Sequence, residues 1–130
     1  LGFELLDDKN SALINQIKTL IIGLIQNEKE LNLNLSSFLS KKLNRDYSQL
    51  SKLFSSTVGI TIEQFTILQK IEKVKELLIY DELSLKEIAF RLGYGSTAYL
   101  SSQFKKVSGL TPTEFKKLTG IKRKSIDEIG

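Results

Sequence analysis

Sliding the sequence along itself by fifty residues pairs Leu50 with Leu100, Phe54 with Phe104, Gly59 with Gly109, Ile60 with Leu110, Thr61 with Thr111 and Phe65 with Phe115. Ahead of these the offset is forty-nine, pairing Leu39 with Ile88, Ser40 with Ala89 and Leu43 with Leu92. The second copy therefore carries one extra residue, Gly95 or its neighbour. A duplicated sequence unit implies a duplicated structural unit and often a duplicated contact. Packing alone does not require the shared Phe-x(4)-Gly-x-Thr ending, so whatever one copy folds into, the chain builds twice.

The second copy shows what that unit is. Ser84 and Glu87 stand three apart ahead of an apolar run, the spacing at which a hydroxyl and a carboxylate satisfy the orphan amides of a helix's first turn. Leu85, Ile88, Ala89 and Leu92 then follow the i, i+3, i+4, i+7 spacing of one buried face. Gly93 can take the left-handed conformation that stops a helix. A second helix opens at Ser96 and is expected to bury Tyr99 or Leu100, Gln103 in part, Phe104 and Val107. Two short helices joined by a tight Gly-containing turn, with small Ala89 at their closest approach, make a helix-turn-helix.

The first copy is expected from about Ser36 to Gly59. Its leading helix buries Phe38 or Leu39 and Leu43; its second opens at Asp46, with Gln49 at the capping-box distance, and buries Leu50, Leu53 and Phe54. Thr61 with Gln64 caps a longer helix whose apolar positions, Ile62, Phe65, Leu68, Ile71, Val74 and Leu78, carry it to about Tyr80. A last helix starts at Thr111, with Pro112 as its first helical residue and Glu114 at the capping-box place. It buries Phe115 and Leu118 and is expected to stop at Gly120. Near the N-terminus, from Ser11 to about Asn27, the residues Leu13, Ile14, Ile17, Leu20, Ile21, Leu24 and Ile25 share one helical face. Packing on the first copy is the plainer use of that face; self-association, or docking on another domain, is the sharper one. Leu1–Asp8 is too short to place and reads as the last strand or tail of an upstream domain, an expectation that the initial Leu in place of Met supports.

The fold class is thus all-α: two helix-turn-helix subdomains, homeodomain-like repeats, joined by a long linking helix, plus an N-terminal amphipathic helix. Residues 1–34 form an N-terminal segment, 35–120 the double unit and 121–130 a basic tail with Lys122, Arg123 and Lys124.

With no Cys and no His, zinc fingers, disulfides, thiolate nucleophiles and imidazole bases are excluded together. No local cluster of acid, base or ligand residues points to an enzyme, a cofactor or a metal. The longest wholly apolar run, Leu20–Ile25, is too short to span a bilayer, so no membrane is expected, and a cytoplasmic location follows as the default. Net charge is only +4, but its distribution is uneven: residues 31–60 carry +3 and residues 84–130 carry +5, while residues 1–30 and 61–83 carry −2 each. Positive charge gathers on the two repeats and is missing from the connector, which suits units that face phosphate on a neutral scaffold.

The run GYGSTAYLSSQFKKVSGLTPTEF resembles the C-terminal DNA-binding domain of the AraC/XylS family of bacterial transcription regulators, above all in Phe104, Lys105, Gly109, Thr111, Pro112 and Phe115. The resemblance covers about residues 35–118. Leu100 stands where many members have an aromatic, Phe115–Lys116 replaces a Tyr–Arg pair, and Ser40 and Asn44 replace Ala and Gly. It implies a regulator that binds double-stranded DNA sequence-specifically, performs no chemistry, and presents a surface to RNA polymerase.

Base-facing residues lie near the N-terminus of each second helix, away from its buried stripe: Tyr47, Ser48, Gln49, Ser51 and Lys52, then Thr97, Ala98, Tyr99, Ser101 and Ser102. By the resemblance these are also the family's base-reading positions. Gln49 can pair bidentately with adenine and Lys52 with guanine, while Ala98 and the methyl of Thr97 can meet a thymine methyl. Lys41, Lys42, Arg45, Arg91, Lys105 and Lys106 would anchor phosphates by sign and placement. A linking helix of twenty residues would be roughly 30 Å long, near the ~34 Å of one turn of B-DNA, so one chain could serve successive major grooves. From another class comes the alternative that the Leu13–Ile25 face binds a protein partner and the repeats are scaffold.

Overall fold

The computed structural model describes residues 2–28 and 34–129, with side chains described for 8–28 and 34–120. Its helices are α1 (Gly2–Gln26), α2 (Leu35–Leu43), α3 (Tyr47–Val58), α4 (Ile62–Tyr80), α5 (Leu85–Arg91), α6 (Thr97–Ser108) and α7 (Pro112–Ile129). No strand occurs among the described residues. The chain divides into two compact units, Leu1–Gln69 and Lys70–Gly130, with the boundary inside α4.

In the first unit the stripe Ile14, Ile17, Ile21 and Ile25 of α1 is buried in one core with Leu39, Leu50, Phe54, Ile62 and Phe65. Leu13 and Leu20 pack against that cluster. The apolar face of α1 is therefore used inside the unit, which is the plainer of its two expected uses. Most of the surface that the interaction-module alternative gives to a partner is consumed in this way.

The second unit buries Ile71, Val74, Leu78, Ile88, Ala89, Leu92, Leu100 and Phe104. Its α7 is tied back by an ion pair between Lys116 and Asp81, 2.5 Å apart.

The duplication holds at the level of atoms. Phe54 meets Phe65 edge-on with ring centroids 5.6 Å apart at 65°, and Phe104 meets Phe115 at 5.6 Å and 70°. Gly59 ends α3 at φ 89° and Gly109 ends α6 at φ 84°, each donating its N–H to the carbonyl four residues back. Only glycine takes that left-handed turn without strain. The Thr61 hydroxyl accepts from the Gln64 amide at 3.0 Å, and the Thr111 hydroxyl accepts from that of Glu114 at 3.1 Å.

Several boundaries differ from those expected. Helix α1 starts at Gly2 and not at Ser11, because nothing between Asp7 and Ser11 breaks a helix and each added residue brings one more backbone bond. Helix α7 runs through Gly120 to Ile129. Mid-helix glycine costs about 1 kcal/mol against Ala, and Gly120 is not among the glycines with positive φ. The side chains of the basic tail, Lys122, Arg123 and Lys124, lie outside the described residues, as does most of the link between α1 and α2. Helix α2 is capped by Asn34, whose Oδ1 accepts from the Ser37 amide at 3.3 Å. Leu68 is 41% exposed: on the α4 wheel it falls between the face of Ile62 and Phe65 and that of Ile71, Val74 and Leu78. Val107 is exposed too, since the buried stripe of α6 steps by four through Leu100 and Phe104 to half-buried Ser108.

Candidate nucleic-acid interface

Each unit presents the first turns of its second helix, and the local chemistry decides which side chains stay available there. At the head of α3, Asp46 does not form the expected capping box. Its carboxylate accepts from the Ser48 hydroxyl two residues on, at 2.7 Å, while the Gln49 amide bonds to the Asp46 backbone carbonyl at 3.1 Å. A nearer donor has displaced the box. The Gln49 side chain is exposed, as are those of Ser48 and Lys52.

Tyr47 and Ser51 are half-buried. Tyr47 packs against the unit's core and its hydroxyl donates to a Glu63 carboxylate oxygen. Burial first, then the hydrogen bond and charge of Glu63, hold the phenol well above its ordinary value. Tyr47 thus joins α3 to α4, a tie that its place in the sequence did not announce.

On α6 the Ser96 hydroxyl accepts from the Tyr99 amide at 3.1 Å. Ala98, Tyr99 and Ser102 are exposed, and Thr97 and Ser101 half-buried. Of the two candidates for burial, Leu100 fills the core and Tyr99 remains 59% exposed. Tyr99 leans on Tyr94, with ring centroids 5.5 Å apart at 54°. Tyr94 is set between elements: its hydroxyl donates to Gln103 Oε1 at 2.5 Å and the Lys70 ammonium lies 5.3 Å from its ring centroid. Burial, and then the neighbouring Tyr99, push the Tyr94 phenol up to about 12, so it keeps its proton at neutral pH. Burial lowers the ammonium pKa of Lys70.

All six cations expected at phosphates, Lys41, Lys42, Arg45, Arg91, Lys105 and Lys106, are exposed. The Lys42 ammonium lies 5.9 Å from the Phe38 ring centroid, which limits its swing. Among the described residues no group of three or more acidic side chains is placed to hold a metal, and no helix is long and apolar enough to cross a membrane.

Two further features escaped the sequence reading. Gln103 was expected only as a partly buried residue, yet it is the acceptor for Tyr94. Phe90, on α5, is 85% exposed. The residue paired with it at the forty-nine offset is Lys41, also exposed, so the fold asks for no apolar group there. Phe90→Lys is accordingly expected to change the unfolding free energy by less than about 0.5 kcal/mol, as read from a urea denaturation curve.

A family model described as a helix-turn-helix domain matches residues 39–118. The xylose operon regulatory protein of Escherichia coli K12 is 42% identical over 69 residues, which is 53% of this chain and 18% of that protein. The Msm operon regulatory protein of Streptococcus mutans is 30% identical over 115 residues, 86% of this chain and 40% of that protein. The chain thus spans less than half the length of these curated relatives. Among solved structures, the C-terminal domain of AraT, a response regulator from Geobacillus stearothermophilus, superposes with a TM-score of 0.70 at 28% identity, covering 82% of this chain and 84% of that one. An AraC-type DNA-binding protein from Chromobacterium violaceum shares the fold with a TM-score of 0.75 at 18% identity, covering 86% and 96%. With the motif, the repeated caps and the matched span in agreement, the chain belongs to the AraC-type helix-turn-helix family of DNA-binding transcription regulators.

Proposed function

We propose that this chain is the part of a transcription regulator that reads double-stranded DNA, with α3 and α6 entering successive major grooves. The observation that supports this best is the atom-level duplication of a helix-turn-helix in which each second helix keeps an exposed polar surface near its N-terminus. Gln49 and Lys52 read bases from α3; Thr97, Ala98, Tyr99 and Ser102 do so from α6; Ser48, Ser51 and Ser101 supply adaptable hydroxyls, and Tyr47 holds α3 in place. Lys41, Lys42, Arg45, Arg91, Lys105 and Lys106 neutralise backbone phosphates. Work of this kind is done in the cytoplasm, on DNA, without a reaction of its own. The regulator presents a further surface to RNA polymerase, and two copies pair through α1, on whose described part Ile22 is exposed.

The test is a titration of labelled duplexes across ionic strength. Engaging about six phosphates predicts that log K falls with log salt at a slope near −5. A slope near zero, or no binding to any member of a random-sequence pool, would remove the reading.

A further inference from the structure

The second recognition helix poses a question that its own sequence sharpens. None of its five base-facing positions carries charge, whereas the first helix offers Lys52. From two of those positions, however, a shallow hollow of about 240 Å³ extends one turn further along α6, lined by Tyr99, Ser102, Gln103 and Lys106. Each of those side chains bears at least one hydrogen-bond donor.

The donor on Gln103 has a set direction. Because its Oε1 accepts from the Tyr94 hydroxyl, the amide is turned so that its two N–H bonds point away from Tyr94. Among the described residues, no acceptor takes them. Tyr94 is itself held by the Tyr99 ring and the Lys70 ammonium, so the group that orients Gln103 does not swing freely.

The first copy serves as an internal reference. At the fifty-residue offset, Gln103 corresponds to Leu53, which packs against the first unit's core. An apolar side chain therefore satisfies the packing at this position. Ser102 corresponds to Lys52 and Lys106 to Ser56, so the cation has moved by one turn between the copies.

We propose that Gln103, oriented by Tyr94, and Lys106 form a donor-lined subsite on α6 that takes a cluster of hydrogen-bond acceptors on the DNA. This rests on the DNA-reading function above. Such a cluster has two sources, the O6 and N7 edge of a guanine and the oxygens of an adjoining phosphate. Tyr94 is a positioning residue, and Gln103 and Lys106 touch the nucleic acid.

The test uses the whole chain and a duplex selected from a random pool. Gln103→Glu keeps the shape and replaces the NH2 group, with both its donors, by an acceptor oxygen, Gln103→Leu installs the first copy's residue, and Tyr94→Phe removes only the hydroxyl. Loss of about tenfold in affinity is expected for either Gln103 variant, the scale of one base contact, and about threefold for Tyr94→Phe, each measured at a temperature well below the variant's own thermal midpoint, since loss of the Tyr94 bond itself lowers stability. Duplexes bearing 7-deazaguanine at single guanines, or methylphosphonate at single phosphates, separate the sources. Wild-type protein should lose affinity on one such duplex, on which Gln103→Leu loses nothing further; whichever modification does this names the acceptor. Retention of wild-type affinity by Gln103→Glu, or equal loss on every modified duplex, overturns the subsite. Unchanged binding by Tyr94→Phe beside impaired Gln103 variants overturns the orienting role alone. Failure of the wild-type chain to bind any duplex overturns the DNA reading and this subsite with it.

Discussion

Phe54→Ala is expected to lower the unfolding free energy by about 4 kcal/mol, and Phe104→Ala by the same amount to within about 1 kcal/mol. Both rings are fully buried. Truncating a buried Phe costs about 3–5 kcal/mol, as lost transfer energy plus the cavity left behind. Each ring also gives up an edge-on partner, Phe65 or Phe115, a contact worth about 0.5–1.5 kcal/mol beyond its area. Against a typical total of about 5–15 kcal/mol for a folded protein, either change removes a large share. Equality of the two costs is the sharper part of the prediction, since it follows from the duplicated geometry and from no property of Phe as such. Urea denaturation followed by circular dichroism measures it. A difference of more than about 2 kcal/mol would mean that the two cores are alike in outline only.

Replacing Gln49 and Lys52 together by Ala is expected to weaken binding to a selected duplex about a hundredfold. Each well-placed bidentate base contact is worth about 1–3 kcal/mol, and about 1.4 kcal/mol corresponds to tenfold in affinity. Binding to random duplexes should fall only a few-fold, because just one cation is lost. Stability should stay within about 0.5 kcal/mol, the change being confined to exposed side chains. Fluorescence anisotropy on selected and scrambled duplexes gives both numbers. Equal losses on the two would place Gln49 and Lys52 at the phosphate backbone and not at base edges.

Much of this architecture is legible before any coordinates, and particular residues show why. Ser84, Ser96, Thr61 and Thr111 each accept the hydrogen bond that their spacing forecasts, because a cap is a contact between residues three apart and needs no help from elsewhere. Asp46 fails for an equally local reason: a serine hydroxyl two residues on competes for its carboxylate. A spacing rule that counts only one partner misses that. Gly120 shows the opposite limit, since glycine permits a left-handed stop without imposing one. Gly59 and Gly109 stop their helices where the following Ile60 and Leu110 pack back against the unit or turn on Ser108.

What this sequence determined by itself is the repeat, every hydroxyl cap and the glycine turns within each copy, and the family they belong to, since these depend on neighbours a few residues apart and on a pattern that recurs at fifty. Only the tertiary structure decided that the Tyr47 hydroxyl is given to Glu63, that Tyr94 orients Gln103, that Tyr99 and Phe90 stay in solvent, and that the stripe of α1 closes the first unit's core. Those outcomes turn on which side chains from distant parts of the chain arrive at the same sector of a helix. Spacing along one helix says which face a residue occupies, and packing alone says what meets it there.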